Sequence, residues 1–232
     1  MFFSKKKTIE TTNFFNNFVD YHCHILPGVD DGVKTMEDSL EILKRYEKLG
    51  VSEVWLTPHV MEDMQNSTEK LKGRFEELKE AYSEVAETET RKPLTLHLAA
   101  EYMLDDGFEE ILKAKDILTL GTKDQVLVET SYYNPPMQMV DMLNNIKGKG
   151  YYPVLAHPER YMYMEKKDYK LLKDMGIRFQ LNLGSLSNGY GHAVTKKAKS
   201  MLKLNYYQYY GTDCHRMSMI DMILGAERPK EM

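Results

Sequence analysis

Cysteine, long apolar runs and excess positive charge are all scarce in this 232-residue sequence. The two cysteines, Cys23 and Cys214, are too few for a disulfide framework and indicate a reducing compartment. No stretch approaches the roughly 18 apolar residues that cross a bilayer. Residues 1–18 lack the apolar segment and the cleavage site of a signal peptide. We therefore expect a soluble, cytoplasmic protein without a transmembrane segment.

Three further absences exclude classes of function. The formal net charge is -4 and the pI is near 6.0, so the chain lacks the broad cationic face that long nucleic acid requires. No G-x-G-x-x-G motif supports a dinucleotide site. Cysteine-based tyrosine phosphatases carry an arginine six positions after the nucleophile, but Val29 and Ile220 occupy those positions here. Neither cysteine is therefore a plausible nucleophile.

Short apolar runs alternate with helical patterns along the chain, which predicts parallel strands joined by crossover helices. The predicted strands are 18–24, 54–57, 94–100, 126–130, 152–156, 178–183 and 207–211, and the predicted helices are 36–49, 67–88, 108–114, 137–147, 168–175 and 193–204. This rhythm fits a closed or nearly closed α/β barrel, with an open doubly wound sheet as the alternative. We expect one domain over residues 18–232 after an N-terminal tail of residues 1–17.

Ionisable side chains collect at the carboxyl ends of the predicted strands, where parallel α/β folds place their sites. Since side chains alternate along a strand, His22 and His24 face one side together with Asp20. The other candidates after strand one and at later strand ends are Asp31, His59, Glu101, Glu129, His157, Asp213 and His215. A single histidine at a strand end is more often structural than a ligand, but this whole set converges on one mouth.

The residue types at this mouth indicate metal chemistry. Unpaired carboxylates and imidazoles would repel one another and lose hydration on burial, and divalent cations remove that conflict. Nitrogen and oxygen ligands without thiolate suit two or three ions of zinc, manganese or iron. Adjacent metals lower the pKa of bound water and clamp both oxygens of a phosphoester displacement. Phosphoester hydrolysis is therefore the leading prediction.

Several motifs resemble a known group of proteins. His22-x-His24, His59, Glu101, His157 and Asp213-x-His215 resemble the polymerase and histidinol phosphatase (PHP) superfamily, whose fold is a distorted (β/α)7 barrel of TIM-like type. Within it, the stretch Asp20-Tyr-His-Cys-His-Ile-Leu-Pro-Gly-Val-Asp-Asp-Gly32, together with Thr57-Pro-His59 and His157-Pro-Glu-Arg-Tyr161, is similar to the bacterial tyrosine-protein phosphatases of capsule and exopolysaccharide gene clusters. The resemblance covers residues 18–217.

This resemblance implies three metal sites. It assigns His22, His24, Glu101 and Asp213 to a first ion, Glu101, Glu129 and His157 to a second, and Asp31, His59 and His215 to a third. Manganese is the expected metal, with iron or zinc as alternatives. The implied substrate is phosphotyrosine in a kinase that regulates surface polysaccharide assembly. A small-molecule phosphatase such as a histidinol phosphatase, a nuclease and a non-catalytic regulatory module remain alternatives, and so does a homo-oligomer.

Four residues are candidates for handling the substrate. Arg160, three residues after His157, is placed to bind phosphate, and Arg216 can do the same; a surface salt bridge is the alternative for Arg160. Tyr133 and Tyr161 lie in predicted loops at the mouth, where they can stack on an aromatic substrate, although packing explains most tyrosines. Three residues are expected to be structural: Cys23 and Cys214, facing away from the mouth, and His97, buried in its strand.

Overall fold

The computed structural model describes residues 7–64, 66–86, 93–121 and 124–232, in which strands and α-helices alternate. The strands are β1 (Val19–Cys23), β2 (Glu53–Leu56), β3 (His59–Val60), β4 (Thr95–Leu98), β5 (Glu101–Met103), β6 (Gln125–Glu129), β7 (Tyr152–Ala156), β8 (Arg178–Asn182) and β9 (Tyr207–Gly211). The helices are α1 (Met36–Leu49), α2 (Thr68–Ala86), α3 (Asp106–Ala114), α4 (Met139–Gly148), α5 (Lys166–Asp174), α6 (His192–Lys203) and α7 (Met217–Leu224).

The strands form two sheets in which every strand pair is parallel. One sheet has the order β1-β2-β4, and the other has the order β3-β5-β6-β7-β8-β9. The predicted α/β class with parallel strands is thus confirmed. A single closed (β/α)7 barrel is not confirmed, because the strand ladders of the described residues divide into these two sheets.

Two predicted strands are each followed by a further short strand. The predicted strand 54–57 corresponds to β2, and β3 follows after Thr57 and Pro58; proline has no N–H to donate to a ladder. The predicted strand 94–100 corresponds to β4, and β5 follows after Ala99 and Ala100. Two hydrogen bonds align these connecting segments, from Ala99 N to Leu56 O (2.8 Å) and from Glu101 N to Pro58 O (3.1 Å).

The first and last strands adjoin at their carboxyl ends. The N–H of Asp213 donates to His22 O (2.7 Å), and the N–H of His24 donates to Cys214 O (2.9 Å). The backbones of Cys23 and Cys214 form a parallel β-bridge across this junction, and both residues are free cysteines and fully buried. Burial raises the pKa of the Cys214 thiol to about 12, so both cysteines belong to the packing of the fold, as predicted.

Helix α1 shows how the helices are fixed to the sheets. The side chain of Thr35 accepts a hydrogen bond from Asp38 N and caps the first turn. Gly50 ends the helix in the left-handed region, at a φ of 85°. Between these ends, α1 buries Ile42 and Leu43 against the sheet. None of the described helices has the length and apolar character needed to cross a bilayer.

The boundaries of two predicted segments differ in the structure. Residues 7–17 were placed in a tail, yet they pack on the rest of the chain: Ile9 and Phe15 are buried, and Ile9 N donates to Ala226 O (2.9 Å). Because apolar side chains drive this packing, the described part of the segment belongs to the core. The predicted helix 67–88 begins at Thr68, and its predicted end lies outside the described residues.

Asp20 does not face the metal ligands as strand alternation predicted. The register of β1 shifts between Asp20 and Cys23, which turns the Asp20 carboxylate away. It is fully buried and accepts hydrogen bonds from Tyr46 Oη (2.9 Å), Thr212 Oγ1 (2.6 Å) and Thr212 N (2.9 Å). Asp20 therefore links α1, through Tyr46, to the end of β9.

We predict that Tyr46→Phe lowers the free energy of unfolding by about 1 to 3 kcal/mol, because it removes one donor from a buried carboxylate. Urea denaturation monitored by circular dichroism measures the effect. Tyr133→Phe, at a tyrosine that is 79% exposed, is the control and should change stability by less than about 0.5 kcal/mol. Equal stability of the two variants would contradict the role given to the Asp20 network.

Candidate metal centre

The structure brings all nine predicted ligands together at the carboxyl ends of the strands. They are His22 on β1 and His24 after it, Asp31 in the following loop, His59 on β3, Glu101 on β5, Glu129 on β6, His157 after β7, and Asp213 and His215 after β9. Seven of them are buried, whereas the side chain of Asp31 is 58% exposed and that of His215 is 18% exposed. Asp31 and His215 therefore form the most exposed side of the cluster.

The Glu101 carboxylate lies at the centre of the cluster. Its Oε2 atom is 3.1 Å from His22 Nε2, 3.2 Å from His24 Nε2 and 3.3 Å from His59 Nδ1. Its Oε1 atom is 3.0 Å from His157 Nε2. One buried carboxylate therefore contacts four imidazoles, and these hold its pKa well below the usual range although burial opposes this.

Asp213 occupies the second position between imidazoles. Its Oδ1 atom is 3.6 Å from His22 Nε2 and 3.4 Å from His24 Nε2, and these two Nε2 atoms are themselves 3.0 Å apart. Burial alone would raise the pKa of Asp213, but the surrounding cationic groups lower it to about 2. Burial alone would lower the pKa of His22, but Glu101 and Asp213 raise it to about 9. The cluster thus favours a shared cation.

The outer part of the cluster is built around Asp31. Its Oδ1 atom lies 3.5 Å from His59 Nε2 and 3.4 Å from His215 Nε2. The other ring nitrogen of His59, Nδ1, lies 3.0 Å from Glu129 Oε1. His59 therefore connects the outer carboxylate to the inner ones.

The observed groups differ in part from the sets implied by the resemblance. Groups whose ligand atoms lie within 4.8 Å of one another are His24-Asp31-His59-His215, His22-Glu101-His157, His22-His24-Asp213 and His59-Glu101-Glu129. His24 thus joins the expected third set. Glu129 approaches His59 (3.0 Å) more closely than His157 (4.0 Å), which divides the expected second set.

Unsatisfied polar atoms test whether this cluster fits metal ions. Although several of these ligand atoms lie 3.0 to 3.3 Å apart, the buried atoms of the described residues that form no hydrogen bond of acceptable geometry include His59 Nδ1, both carboxylate oxygens of Glu101, Glu129 Oε1 and His157 Nδ1. Such groups cost free energy when buried and unpaired, and divalent cations accept their lone pairs. The donor set is nitrogen and oxygen without sulfur, which suits manganese, iron or zinc. The residues therefore fit a site for divalent metal ions.

Two predicted ligands have strained backbones. His157 has a φ of 33° and Asp213 a φ of 52°, a left-handed region that residues other than glycine seldom adopt. Strain of this kind costs roughly 1 to 3 kcal/mol and concentrates at functional sites. In both cases the residue directly follows a strand or its extension, so the unusual backbone turns the side chain into the cluster.

Three supporting residues fix the orientation of the ligands. Asp30 Oδ2 lies 2.8 Å from His24 Nδ1, and Gln180 Oε1 lies 2.9 Å from His22 Nδ1, which leaves both Nε2 atoms for the cluster. Asn182 Nδ2 donates to Asp213 Oδ2 (2.7 Å). The sequence analysis missed Gln180 and Asn182, although their two-residue spacing at the end of β8 is a signal that alternation could have supplied.

A cavity of about 320 Å³ opens over the cluster, and Arg160 lies in its wall. The guanidinium donates from Nη1 to Asp213 Oδ2 (2.7 Å). It also lies between two aromatic rings, 4.5 Å from the centroid of Tyr132 and 4.3 Å from that of Tyr190. Arg160 is therefore paired with the buried Asp213 and not, as in the alternative, with Glu159 or Asp168 in a surface salt bridge. Arg216 lines the same cavity and is exposed.

The predicted role of Tyr161 in substrate binding is wrong, because its side chain is fully buried and its hydroxyl accepts the N–H of Thr130 (3.2 Å). Tyr133 is 79% exposed and is absent from the residues that line the cavity. Tyr132 and Tyr190 line it instead, and the sequence analysis did not single out Tyr190.

Two other histidines lie outside the cluster. His97, expected to be buried, has a 30% exposed side chain that stacks on Trp55 at 4.3 Å and lies 3.1 Å from Glu53. His97 lies within β4 rather than after its carboxyl end, where the ligands of the cluster begin. His192 is exposed at the start of α6.

Comparison with known proteins gives a consistent result. A family model described as "Capsular polysaccharide synthesis, CpsB/CapC" matches residues 18–221. The chain is 31% identical over 234 residues to tyrosine-protein phosphatase CpsB of Streptococcus pneumoniae, covering 92% of this chain and 94% of that protein. It is 25% identical over 203 residues to tyrosine-protein phosphatase YwqE of Bacillus subtilis, covering 86% of this chain and 78% of that protein.

A similar fold is also known from crystal structures of YwqE from Bacillus subtilis and CpsB from Streptococcus pneumoniae, described as unique metal-dependent tyrosine phosphatases. The match has a TM-score of 0.79 and 24% identity and covers 87% of this chain and 81% of that chain. At this identity the match shows the fold alone. Together with the family match, it confirms the resemblance inferred from the sequence.

We predict that Glu101→Gln weakens metal binding at least tenfold, because a neutral amide replaces the carboxylate at the centre of the cluster. Metal content after dialysis against manganese, and the rise of Tm on adding manganese to stripped protein, measure the effect. Glu53→Gln, which changes a part-exposed carboxylate beside His97, should behave as the unchanged protein does. If Glu101→Gln keeps full metal content, the metal centre does not depend on this carboxylate.

Proposed function

Because the chain belongs to the CpsB/CapC family of capsular polysaccharide synthesis, we propose that it is a metal-dependent phosphatase that hydrolyses phosphotyrosine in proteins. One observation carries the proposal: a buried cluster of unsatisfied carboxylate and imidazole atoms lies beneath a cavity whose wall holds Arg160. Metal ligands at the base of a cavity and a guanidinium in its wall are the parts that phosphoryl transfer requires.

Nine residues are the proposed ligands of two or three divalent ions: His22, His24, Asp31, His59, Glu101, Glu129, His157, Asp213 and His215. Manganese is the proposed metal, and iron or zinc is the alternative. When bound, such ions lower the pKa of a water molecule and neutralise charge on a phosphoryl group. Four residues each belong to two of the observed groups, namely His22, His24, His59 and Glu101.

The chain's own residues bind and orient the phosphate. The Arg160 guanidinium packs on the rings of Tyr132 and Tyr190 and bonds to Asp213, so these contacts hold it in place before the substrate enters. A guanidinium has five N–H donors, and the bond from Nη1 to Asp213 uses one of them. The remaining donors can bind phosphate oxygens and stabilise the charge that develops on them. Arg216 is proposed as a second cation at the mouth.

The walls of the cavity support an aromatic phosphate ester as substrate. The rings of Tyr132 and Tyr190 line it, and aromatic rings pack favourably in offset or edge-to-face arrangements. The ligands that form the base are buried, so the phosphate must be carried at the end of an extended side chain. Phosphotyrosine meets both requirements, and it is the class of substrate implied by the names of the relatives.

Several finer statements form part of the same proposal. We propose that the substrate protein is a bacterial tyrosine kinase that regulates polysaccharide assembly, and that the protein works in the cytoplasm. We also propose that the two sheets together form one distorted (β/α)7 barrel, which the hydrogen bonds between β1 and the end of β9 support. The single domain of residues 18–232 and a homo-oligomeric state remain predictions.

The direct test is phosphate release from a phosphotyrosine peptide by metal-stripped protein that has been resupplied with manganese, zinc or iron. We expect metal to restore activity, and we expect His22→Ala and His157→Ala to lose it by a factor of at least 100. Cys23→Ala and Cys214→Ala are the controls for a cysteine nucleophile and should retain activity once folded. Activity on histidinol phosphate alone would identify a small-molecule phosphatase, and no activity with any metal would favour a regulatory module.

For Arg160 we predict that substitution by lysine lowers kcat/KM at least tenfold, because a point charge replaces a planar group held between two rings. Substitution by methionine, which removes the charge, should lower it about 100-fold or more. Steady-state kinetics with the same phosphopeptide give both values, and bound metal should be measured alongside because Arg160 contacts Asp213. A loss limited to metal content would assign Arg160 to the metal centre rather than to the phosphate.

A further inference from the structure

A second cavity, of about 610 Å³, lies beside the cavity over the metal cluster, and its lining is basic. It runs along α6 and is bounded by the segment after the short helix Leu183–Leu186 and by the chain that follows α7. Three lysines of α6 line it, namely Lys196, Lys199 and Lys203. We call this surface the basic groove.

The charge of α6 is unusual for this chain. The chain as a whole has a formal net charge of -4, yet the twelve residues of α6 include four lysines and no acidic residue. Lys196, Lys199 and Lys203 are spaced at i, i+3 and i+7, which places them on one face of the helix. Lys203 lies in the last turn, where a cation interacts favourably with the helix dipole. Like charges at such spacings destabilise an isolated helix by a few tenths of a kcal/mol per pair, so the stability of α6 does not account for Lys196 and Lys199.

Contacts within the protein account for only part of this charge. Lys197, which faces elsewhere, donates its Nζ protons to Tyr161 O (2.7 Å) and Met164 O (3.0 Å) and thus has a structural role. Among the described residues that line the basic groove, one is acidic, Glu227, and its carboxylate is 4.0 Å from Lys199 Nζ. One carboxylate therefore faces three ammonium groups.

Consecutive residues of one segment line both the basic groove and the cavity over the metal cluster. Ser187 and Asn188 line the groove, and the next two residues, Gly189 and Tyr190, line the cavity over the metal cluster. The Tyr190 ring is also the one that packs on Arg160 at 4.3 Å. A peptide whose phosphotyrosine enters the cavity therefore has only this short segment to cross before it reaches the lysines.

Another side of the mouth has a different charge. A cavity of about 440 Å³ shares Asp31, His215 and Arg216 with the cavity over the metal cluster, and its lining includes the acidic residues Asp38 and Glu41. Acidic residues of a substrate would meet mixed charge on that side and lysines on the other. The two sides of the mouth thus distinguish the two directions in which a bound peptide extends.

We propose that the basic groove is a subsite for acidic residues on one side of the phosphotyrosine in the substrate protein. This inference rests on the proposed function, because it takes the phosphotyrosine to lie in the cavity over the metal cluster. An extended peptide advances about 3.3 to 3.6 Å per residue, so the side chains that can lie in the basic groove are those within a few residues of the phosphotyrosine. The subsite selects substrates by charge and acts on KM rather than on kcat.

The experiment uses the manganese-loaded full chain and three phosphotyrosine peptides: one with glutamates on the N-terminal side, one with glutamates on the C-terminal side and one with glutamines on both. We expect one of the two glutamate peptides to have a kcat/KM about three- to tenfold above that of the glutamine peptide, mainly through KM. The preference should decrease toward one as salt is raised.

The variant Lys196→Gln/Lys199→Gln/Lys203→Gln should reduce this preference to near one, with the glutamine peptide as the reference within each variant. The matched control, Lys48→Gln/Lys72→Gln/Lys113→Gln, removes the same charge from exposed positions on α1, α2 and α3 and should keep the preference. Loss of the preference in both triple variants would assign it to overall charge and overturn the subsite.

Two further outcomes separate this inference from the proposed function. Failure of the unchanged protein to hydrolyse para-nitrophenyl phosphate as well as all three peptides would overturn the proposed function itself. Hydrolysis of all three peptides at equal kcat/KM would leave the phosphatase intact and overturn the subsite. If, in addition, the unchanged protein sediments with phosphatidylserine vesicles and the α6 variant does not, the groove is a membrane-binding face.

Discussion

The Glu101 carboxylate, buried among four imidazoles, is the constraint on which the site depends. Removing a carboxylate from water is costly, and for Glu101 the surrounding imidazoles, or metal ions bound with them, offset that cost. The imidazoles come from β1, from the segment after it, from β3 and from the residue after β7, so the carboxylate requires all of these strand ends to meet. The parallel direction of the strands places these ends on the same side of the sheets.

Close approach of backbones is the second requirement, and two glycines meet it. A Cβ atom at Gly32 would lie 2.1 Å from His24 O, and one at Gly211 would lie 2.5 Å from His22 Cβ. Either contact would displace a histidine of the inner cluster. The chain therefore places a residue without a side chain beside each histidine of the His22-x-His24 pair, and this explains why both glycines are needed at these positions.

Much of the site could be predicted because its ligands follow strands in a parallel fold. His22 and His24 could be paired by strand alternation, and His59, Glu101 and Glu129 by their positions at the ends of apolar runs. Asp20 could not be placed in this way, because the register shift in β1 reverses its direction. Gln180 and Asn182 were overlooked because a search for ligands considers ionisable residues and ignores the amides that orient them.

The directions of Arg160 and Tyr161 could not be predicted from the sequence for a different reason. His157 adopts a left-handed backbone, and the short helix Pro158–Arg160 follows it, so successive residues point in directions that no regular period describes. Arg160 is thereby directed to the cavity, whereas Tyr161 is directed to the core. The break between β2 and β3 is more accessible to sequence analysis, since Pro58 has no N–H to donate to a strand ladder.

Asp213 connects the proposed metal ligands to the proposed phosphate-binding arginine. Its Oδ1 atom faces His22 and His24, while its Oδ2 atom accepts hydrogen bonds from Arg160 and Asn182. These two donors fix the carboxylate so that Oδ1 stays directed at the cluster, and the bond from Arg160 also fixes one end of the guanidinium. A change in the cluster that moves Asp213 must therefore also move Arg160. Under the proposed function, the position of the guanidinium therefore depends on the same carboxylate that would hold a metal ion.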